Sequence, residues 1–153
     1  QIAIFNRSHY EDIIAVRVKK IFPDPVWKRR YKHVLDFESM LAEEGTVIIK
    51  LFLNISKAEQ KKRLESRLQD PDKLWKFCMD DLDDRNRWDE FQTAYQDLIE
   101  KTSTPEAPWY IIPADRKWYR NLVVARLMVE KLRHLQLSLP TPNFDPASII
   151  IPD

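Results

Sequence analysis

The sequence predicts an α/β fold built on a parallel β-sheet flanked by helices. Three short apolar runs, at residues 2–5, 47–53 and 109–112, are typical of buried strands. The middle run is nearly continuous and β-branched, a pattern that fits a strand covered on both faces. Stretches with a helical apolar stripe lie between the runs. Because strands separated by helical crossovers pair in parallel, this alternation predicts a parallel sheet.

The first two predicted helices have recognisable end signals. Ser8 is placed to cap an apolar stripe that extends to Phe22, and Pro23 ends that helix. Asp24, followed by a proline, begins the second helix. Gly45 follows the second stripe at the position where a left-handed residue commonly ends a helix.

The second half of the chain continues the alternation. Residues 56–59, Ser-Lys-Ala-Glu, form a capping box that opens a strongly basic helix. Residues 73–87 have no clean period, so we expect an irregular basic segment there. A helical stripe returns at Trp88, and another extends over 122–132. From Pro140 the chain is predicted to be an extended, proline-rich tail.

The composition limits the kinds of partner. The chain has 153 residues, enough for one domain with a core, and its 25 basic residues nearly balance 24 acidic ones. That balance argues against a general nucleic-acid binder and against a polybasic membrane binder. No apolar run reaches the roughly 18 residues of a membrane-spanning helix. The single cysteine, Cys78, excludes an intrachain disulfide and favours a reducing compartment, so we expect a cytoplasmic protein.

Glycine is scarce in this sequence. The chain has one glycine, Gly45, and ten prolines. A Gly-rich loop that cradles phosphate needs more than one glycine. The chain also begins at Gln1, without a methionine, and continues directly into an apolar segment. We therefore expect a fragment, or a chain that begins partway along a longer protein.

Polar and charged residues follow each predicted strand. Ligands of parallel α/β sheets bind at the carboxyl ends of the strands, which places residues 6–12, 54–56 and 113–117 around one rim. The first segment combines an arginine, a hydroxyl group and two carboxylates, a set that can hold phosphate together with magnesium. Caps and acidic residues are equally routine at a helix N-terminus, and composition alone leaves both interpretations open.

A second cluster lies in the basic helix and the segment after it. Between residues 63 and 88, arginines and lysines alternate with aspartates and tryptophans. A movable segment of this kind suits a kinase lid, because its closure neutralises phosphate charge and excludes water. The alternative is a solvated helix face laced with ion pairs, which is the commoner origin of such runs. For residues 113–121, a capped helix start with surface cations is slightly favoured over a nucleotide site.

Several motifs, taken in order, resemble one enzyme family. They are Phe5 to Asp12 (FNRSHYED), Trp75-Lys76-Phe77, Arg85 with Trp88, and Ala107-Pro108-Trp109-Tyr110 running into residues 115–121. Together they resemble the family-two polyphosphate kinases, and most closely the subgroup that phosphorylates both nucleoside mono- and diphosphates. The resemblance covers nearly the whole chain, residues 2–140, and is therefore more specific than any one motif.

The resemblance implies a P-loop kinase-like fold, a parallel sheet with flanking helices and a helical lid. It implies a phosphotransferase that moves a phosphoryl group between inorganic polyphosphate and AMP, ADP or ATP, with Mg²⁺ as the cofactor. On this basis residues 1–139 are the C-terminal part of the kinase domain, with a lid at about 63–88, and 140–153 are the tail. A cytoplasmic homo-oligomer without nucleic-acid or membrane partners is expected.

The resemblance also implies roles for individual residues. Arg7, Glu11 and Asp12 would be catalytic, and Asp12 would also be the metal ligand. Residues implied to bind polyphosphate or nucleotide are Asn6, Ser8, Arg63, Arg67, Lys73, Lys76, Asp81, Arg85, Asp115, Arg116 and Lys117. Two departures from the family pattern matter. Asn6 occupies a position where many P-loop kinases have a metal-holding aspartate, and the Walker A loop has no counterpart, so the chain alone is expected to be inactive.

Two other functions stay open on the sequence. An ordinary ATP-dependent nucleotide kinase would share the sheet and the lid. A non-catalytic polyanion-binding or assembly module would use the basic surface between Arg63 and Arg87 without turnover. An RNA-binding role is weaker, because the five tryptophans fall mostly on apolar stripes or buried runs rather than on exposed stacking surfaces.

Overall fold

The computed structural model describes residues 1–152, which form two parallel strands surrounded by helices. The elements are α1 Glu11–Val18, α2 Asp24–Glu43, β1 Lys50–Asn54, α3 Lys57–Gln69, α4 Asp80–Asn86, α5 Trp88–Thr102, β2 Trp109–Pro113 and α6 Lys117–His134. Single 3₁₀ turns occur at Leu74–Lys76 and Pro146–Ser148. The strand register pairs Lys50 with Trp109 and Asn54 with Pro113. The predicted α/β class and the parallel pairing are confirmed.

The core lies between α1, α2 and α5 rather than under the sheet. Ile13 of α1 and Leu98 of α5 are fully buried, and Trp27 and Val34 of α2 close the other side. Phe52 of β1 contacts this assembly through the ring of Tyr95, with ring centroids 4.9 Å apart. The three helices therefore form a rigid base that holds the segment before α1.

Local end signals predicted several element boundaries correctly. The Ser56 hydroxyl accepts a hydrogen bond from the Glu59 backbone N–H at 3.0 Å and caps α3. Gly45 follows α2 with φ of 82°, the left-handed conformation expected of it. The helix predicted from Trp88 is α5, and it begins at that residue.

The prediction of a strand at residues 2–5 is wrong. This segment has no regular structure, and Ile4 and Phe5 are 82 % and 81 % exposed. A strand requires a ladder of backbone hydrogen bonds, and within residues 1–152 the sheet consists of β1 and β2 paired with each other. Residues 2–5 therefore have no neighbouring strand to pair with, and their apolar composition alone does not make them a strand.

The first helix is shorter than predicted at both ends. It begins at Glu11, after a turn in which Ser8 is not the cap, and it ends at Val18 rather than at Phe22. The termination is a Schellman motif: Lys20 has φ of 54°, and the Ile21 N–H returns to the Val16 carbonyl at 3.1 Å. Lysine in the position usually occupied by glycine conceals this end signal in the sequence.

Two further expectations need correction. Residues 73–87 are not irregular throughout, since they contain a 3₁₀ turn and the short helix α4. The strand predicted over 47–53 begins only at Lys50, and the sheet is not covered on both faces, because Leu53 and Ile111 are exposed. The domain and lid bounds stay predictions, and Asp153 of the predicted tail lies outside the described residues.

In the part of the chain that the structure describes, no helix is long and apolar enough to cross a membrane.

Candidate active site

Residues 6–10 form a turn between the N-terminal coil and α1, which begins at Glu11. Asn6, Arg7 and Ser8 are all exposed. Arg7 has φ of 70°, a left-handed conformation that is uncommon for a residue with a side chain. Its guanidinium Nε lies 3.4 Å from Glu11 Oε1, one helical turn further on. The Glu11 N–H in turn bonds to the Ser8 carbonyl at 3.0 Å, so the turn and the start of α1 form one unit.

Asp12 faces a different neighbourhood from Glu11. Consecutive helical residues point about 100° apart, so the two carboxylates diverge around α1. Asp12 lines a cleft with His9, His33 and Phe37. Arg30 of α2 holds the backbone there, because its Nη1 donates to the Asp12 carbonyl oxygen at 2.6 Å. The predicted catalytic set is thus divided between an Arg7–Glu11 pair and a separate Asp12 cleft.

Next to this segment, the structure reveals a buried ionic cluster that sequence reasoning missed. Tyr10 Oη donates to Glu38 Oε1 at 2.5 Å. Lys50 Nζ donates to Glu38 Oε2 at 2.7 Å, to the Thr102 carbonyl at 2.6 Å and to Tyr10 Oη at 3.2 Å. The only sequence signals are a lysine within an apolar run and a glutamate on an apolar helical stripe.

Burial shifts the pKa values of Tyr10 and Lys50 in this cluster. It raises the pKa of the Tyr10 hydroxyl far above its usual range, and the hydrogen bond to Glu38 adds to the rise. Burial also lowers the pKa of the Lys50 ammonium, and the nearby Glu38 carboxylate opposes that change. Rings enclose the charge: Lys50 Nζ lies 5.6 Å from the Tyr10 ring centroid and 5.4 Å from that of Trp109.

Two of the three predicted rim segments contact each other directly. The Ala114 N–H donates to the Asn54 carbonyl at 2.8 Å, and the Ser56 N–H donates to Asp115 Oδ1 at 2.7 Å. That backbone bond from Ser56 lowers the pKa of the Asp115 carboxyl. The third segment, 6–12, instead contacts α2 and the first residues of β1 and β2.

Arg63 connects this rim to the start of the predicted lid. Its Nη2 donates to the Ala114 carbonyl at 2.7 Å and to the Asp115 carbonyl at 3.3 Å. Its Nε bonds to Glu59 at 2.7 Å within α3. Two other predicted ligands, Arg116 and Lys117, lie exposed at the beginning of α6.

The remaining lid residues mostly bond to one another. Arg67 Nη1 lies 3.3 Å from Asp81 Oδ2, and Arg85 Nη1 donates to the Lys57 carbonyl at 2.7 Å. Lys73 pairs with Asp70. Lys76 lies over the ring of the exposed Trp75, 5.0 Å from its centroid. These contacts hold residues 57–86 together and leave Lys73 and Lys76 at the surface.

The segment 63–88 approaches α1 through α4. Lys19, the residue that follows α1, bonds to Asp84 of α4 at 2.9 Å. Burial raises the pKa of the hydroxyl of the half-buried Tyr95, and Glu11 and Asp84 lie close enough to add to the rise. The structure therefore brings the two predicted functional clusters to the same side of α5.

Among residues 1–152, no group of three or more His, Cys, Asp or Glu side chains could hold a metal ion. Mg²⁺ is commonly bound by one or two carboxylates together with substrate phosphates and waters. The exposed Asp12 carboxylate fits that mode, in which the substrate supplies most of the ligands, whereas Glu11 diverges from Asp12 and pairs with Arg7.

Comparison with known proteins shows which proteins this chain is similar to. A sequence model of the family described as Polyphosphate kinase 2 (PPK2) matches residues 1–139. The chain is 52 % identical over 151 residues to the AMP/ADP-polyphosphate phosphotransferase of Meiothermus ruber, a match covering 99 % of this chain and 57 % of that protein. It is 37 % identical to the ADP-polyphosphate phosphotransferase of Rhodopseudomonas palustris, covering 92 % and 53 %. The chain thus spans about half the length of these curated relatives.

The fold agrees with the sequence relationship. The crystal structure of Polyphosphate Kinase 2 from Arthrobacter aurescens is similar to this chain, with a TM-score of 0.89 and 48 % identity over 94 % of this chain and 51 % of that one. The resemblance inferred from the motifs is confirmed by the family match, which takes in most of the chain. The chain therefore belongs to the polyphosphate kinase 2 family.

Proposed function

We propose that this chain is the C-terminal part of a P-loop kinase-like phosphotransferase that moves a phosphoryl group between inorganic polyphosphate and AMP or ADP. The observation that carries the proposal is that the exposed Arg7–Glu11 pair and Asp84 of the basic segment 63–88 both lie close to the Tyr95 hydroxyl on α5. The names of the relatives, AMP/ADP- and ADP-polyphosphate phosphotransferase, support the same donor and acceptors. A cytoplasmic location and a homo-oligomeric state stay predictions.

The proposed reaction is an in-line attack by a nucleotide phosphate oxygen on the terminal phosphorus of polyphosphate. The nucleophile is already anionic, so positioning and charge neutralisation do most of the work. Arg7 contacts the transferred phosphoryl group, with Asn6 and Ser8 beside it. Glu11 and Asp12 lie at the acceptor side, where bound Mg²⁺ would neutralise phosphate charge and Asp12 would hold it.

The proposal also gives a role to the cations of the predicted lid, the segment 63–88. Lys73 and Lys76 are exposed near the tip of the segment 63–88 and face the polyphosphate chain. Arg67 and Asp81, which bond to each other, and Arg85, which bonds to the Lys57 carbonyl, shape the segment and approach the polyanion when it closes. Arg63, with Asp115, Arg116 and Lys117, forms the side toward the nucleotide. A glycine-rich phosphate cradle cannot be built from these 153 residues, because they contain one glycine.

Transfer assays test this function directly. The chain alone should show no measurable transfer from polyphosphate to AMP or ADP. A chimera in which this chain replaces the matching 57 % of the Meiothermus ruber protein should show it. In that chimera, Arg7→Ala should lower the rate about 100-fold or more, since it removes a cation from the phosphoryl group. Lys32→Ala is the matched control, because Lys32 is also exposed and pairs with a residue one turn away.

The outcomes separate the alternatives. A folded chimera without transfer activity would overturn the proposal. Turnover by the chain alone would show that the phosphate site is placed wrongly. Faster reaction with ATP than with polyphosphate as the donor would favour an ATP-dependent nucleotide kinase. Salt-sensitive polyphosphate binding without nucleotide affinity would favour a polyanion-binding module.

A further inference from the structure

The buried cluster beside the candidate site has no role in the function proposed above. Its members come from the turn before α1, from α2, from the start of β1 and from the end of α5. Tyr10, Glu38 and Lys50 are no more than 6 % exposed, and Thr102 is fully buried. A cluster this deep cannot contact a substrate, so any role in the reaction must be indirect.

The hydrogen bonding of the cluster is saturated. An ammonium group has three donors, and Lys50 directs them to Glu38, Thr102 and Tyr10. Glu38 uses one carboxylate oxygen for Lys50 and the other for Tyr10. Each group therefore has its position set by two or more partners. The Tyr10 hydroxyl can occupy one place only, between Glu38 and Lys50.

Stability alone does not explain such a cluster. Well-packed apolar side chains of similar volume often stabilise a core as much as a buried ion pair does, because desolvation opposes the Coulomb attraction. A buried ionic network is therefore informative where it fixes a particular geometry. Here it fixes the side chain of Tyr10, which lies between Arg7 and Glu11 in the chain.

The backbone near Tyr10 needs an anchor. Arg7 has a left-handed φ of 70°, and such conformations persist where the surrounding structure holds them. The Tyr10 carbonyl accepts the first hydrogen bonds of α1, from the N–H groups of Ile13 at 3.0 Å and Ile14 at 3.1 Å. On the other side, Arg30 holds the Asp12 carbonyl. The side chain of Tyr10 is thus the connection between the deep core and the exposed Arg7–Glu11 pair.

We propose that Tyr10, Glu38 and Lys50 are positioning residues, whose buried network fixes the backbone of residues 7–12 and so holds Arg7 and Glu11 in place for phosphoryl transfer. The catalytic consequence rests on the proposed function. The structural part, the anchoring of residues 7–12, does not depend on it and is measurable on the chain alone.

Tyr10→Phe tests the proposal, because it removes the hydroxyl that enters the network and keeps the ring. Amide hydrogen exchange of Glu11, Ile13 and Ile14 should become about tenfold faster in the variant chain. In the chimera, kcat should fall about tenfold while the KM values for nucleotide and polyphosphate stay within about twofold. A residue that only stabilises the fold would leave kcat unchanged below the unfolding temperature.

Tyr31→Phe is the matched control. Tyr31 belongs to the same core, and its hydroxyl is buried without a hydrogen-bond partner in the part of the chain that is described. Its removal should leave both the exchange of α1 amides and kcat at the wild-type values. Equal effects of the two substitutions would mean that the network has no special role.

A second pair of variants addresses the ion pair itself. Lys50→Met leaves the buried Glu38 carboxylate without its counter-charge, and that chain can fail to fold. The double variant Lys50→Met/Glu38→Leu removes both charges together with both partners of the Tyr10 hydroxyl, and it avoids this difficulty. It should fold and should reproduce the fast exchange and the lowered kcat of Tyr10→Phe. Wild-type exchange and wild-type kcat in a folded double variant would overturn the proposal.

The two proposals fail in different ways. If the wild-type chimera transfers no phosphoryl group, the proposed function fails, and hydrogen exchange in the chain alone still decides whether the network anchors residues 7–12. If the wild-type chimera is active but Tyr10→Phe changes neither exchange nor kcat, the positioning role is wrong and the function stands.

Discussion

Individual residues with unusual backbone conformations mark the turns of this molecule. Arg7, Lys20 and Gln136 have positive φ although they carry side chains, and Gly45 is the one glycine of the sequence. At Lys20 the conformation ends α1, and at Gly45 it ends α2. At Arg7 it lies within the candidate site, where strained conformations are commonly retained for function.

Gly45 gives a prediction at this scale. Gly45→Ala should lower the free energy of unfolding by about 1 kcal/mol, because a side chain is disfavoured at φ of 82°. A Cβ at this position would meet nothing within 4 Å, so the cost is conformational rather than steric. Urea denaturation measures the change. Gly45→Asn is the control and should cost less, since asparagine tolerates this conformation better; an alanine variant as stable as the wild type would contradict the argument.

At the scale of elements, charged side chains bind α1 to its neighbours. Arg17 Nη1 bonds to Asp97 of α5 at 2.6 Å, and its guanidinium lies 5.2 Å from the ring centroid of Trp27 in α2. One arginine therefore connects all three core helices. Since α1 directly follows the candidate site, this connection also limits how far residues 7–12 can move.

The Arg17–Asp97 pair predicts a pH dependence. The hydrogen bond from Arg17 lowers the pKa of the Asp97 carboxyl, with Lys101 adding to the effect. Because the pKa is lowered in the folded state, the stabilisation is present above the ordinary value of 3.8 and is lost as the pH falls through the lowered one. Asp97→Asn should therefore lower stability by about 1 kcal/mol at pH 7, a small figure because solvent screens the pair.

Thermal unfolding between pH 2 and pH 7 provides the measurement. The wild type and Asp97→Asn should converge at the acid end, where the wild-type carboxyl is protonated as well. Asp36→Asn, which removes an exposed carboxylate paired with Lys32, is the control and should change little at any pH. A constant difference between the wild type and Asp97→Asn across this range would exclude the ion pair as its cause.

At the scale of the whole molecule, the core is unevenly distributed. The buried cluster lies between α1, α2 and α5, whereas α6 has no buried residue although it is 18 residues long. The sheet has two strands in the described chain and leaves Leu53 and Ile111 exposed. Cooperative stability should therefore reside in the three-helix core.

Two alanine substitutions measure this distribution. Leu98→Ala should lower the free energy of unfolding by about 3 kcal/mol, because it opens a cavity in a fully buried site. Leu122→Ala on α6 should cost less than about 1 kcal/mol, since Leu122 is already exposed. Urea denaturation gives both values, and similar losses in the two variants would show that α6 belongs to the cooperative core.

Features that depend on nearby residues could be predicted from the sequence, whereas features that depend on distant residues could not. The cap at Ser56, the left-handed Gly45 and the start of α5 at Trp88 were predictable, because each depends on residues within a few positions of it. The supposed strand at 2–5 was not, because strand formation requires a partner that composition does not reveal. The end of α1 at Val18 was missed because lysine replaces the usual glycine.

The sequence by itself determined the family and most of the order of helices and strands, apart from the strand expected at 2–5 and the helix α4, since the motifs and the helical periods depend on short stretches of chain. Only the tertiary structure decided which polar groups meet. Tyr10, Glu38 and Lys50 are separated by 28 and 12 positions, yet they share one buried network. Likewise, Arg63 holds the carbonyls after β2, and Glu11 and Asp12 diverge around α1. The partner of a charge depends on how distant elements pack, and no local pattern of residues encodes that packing.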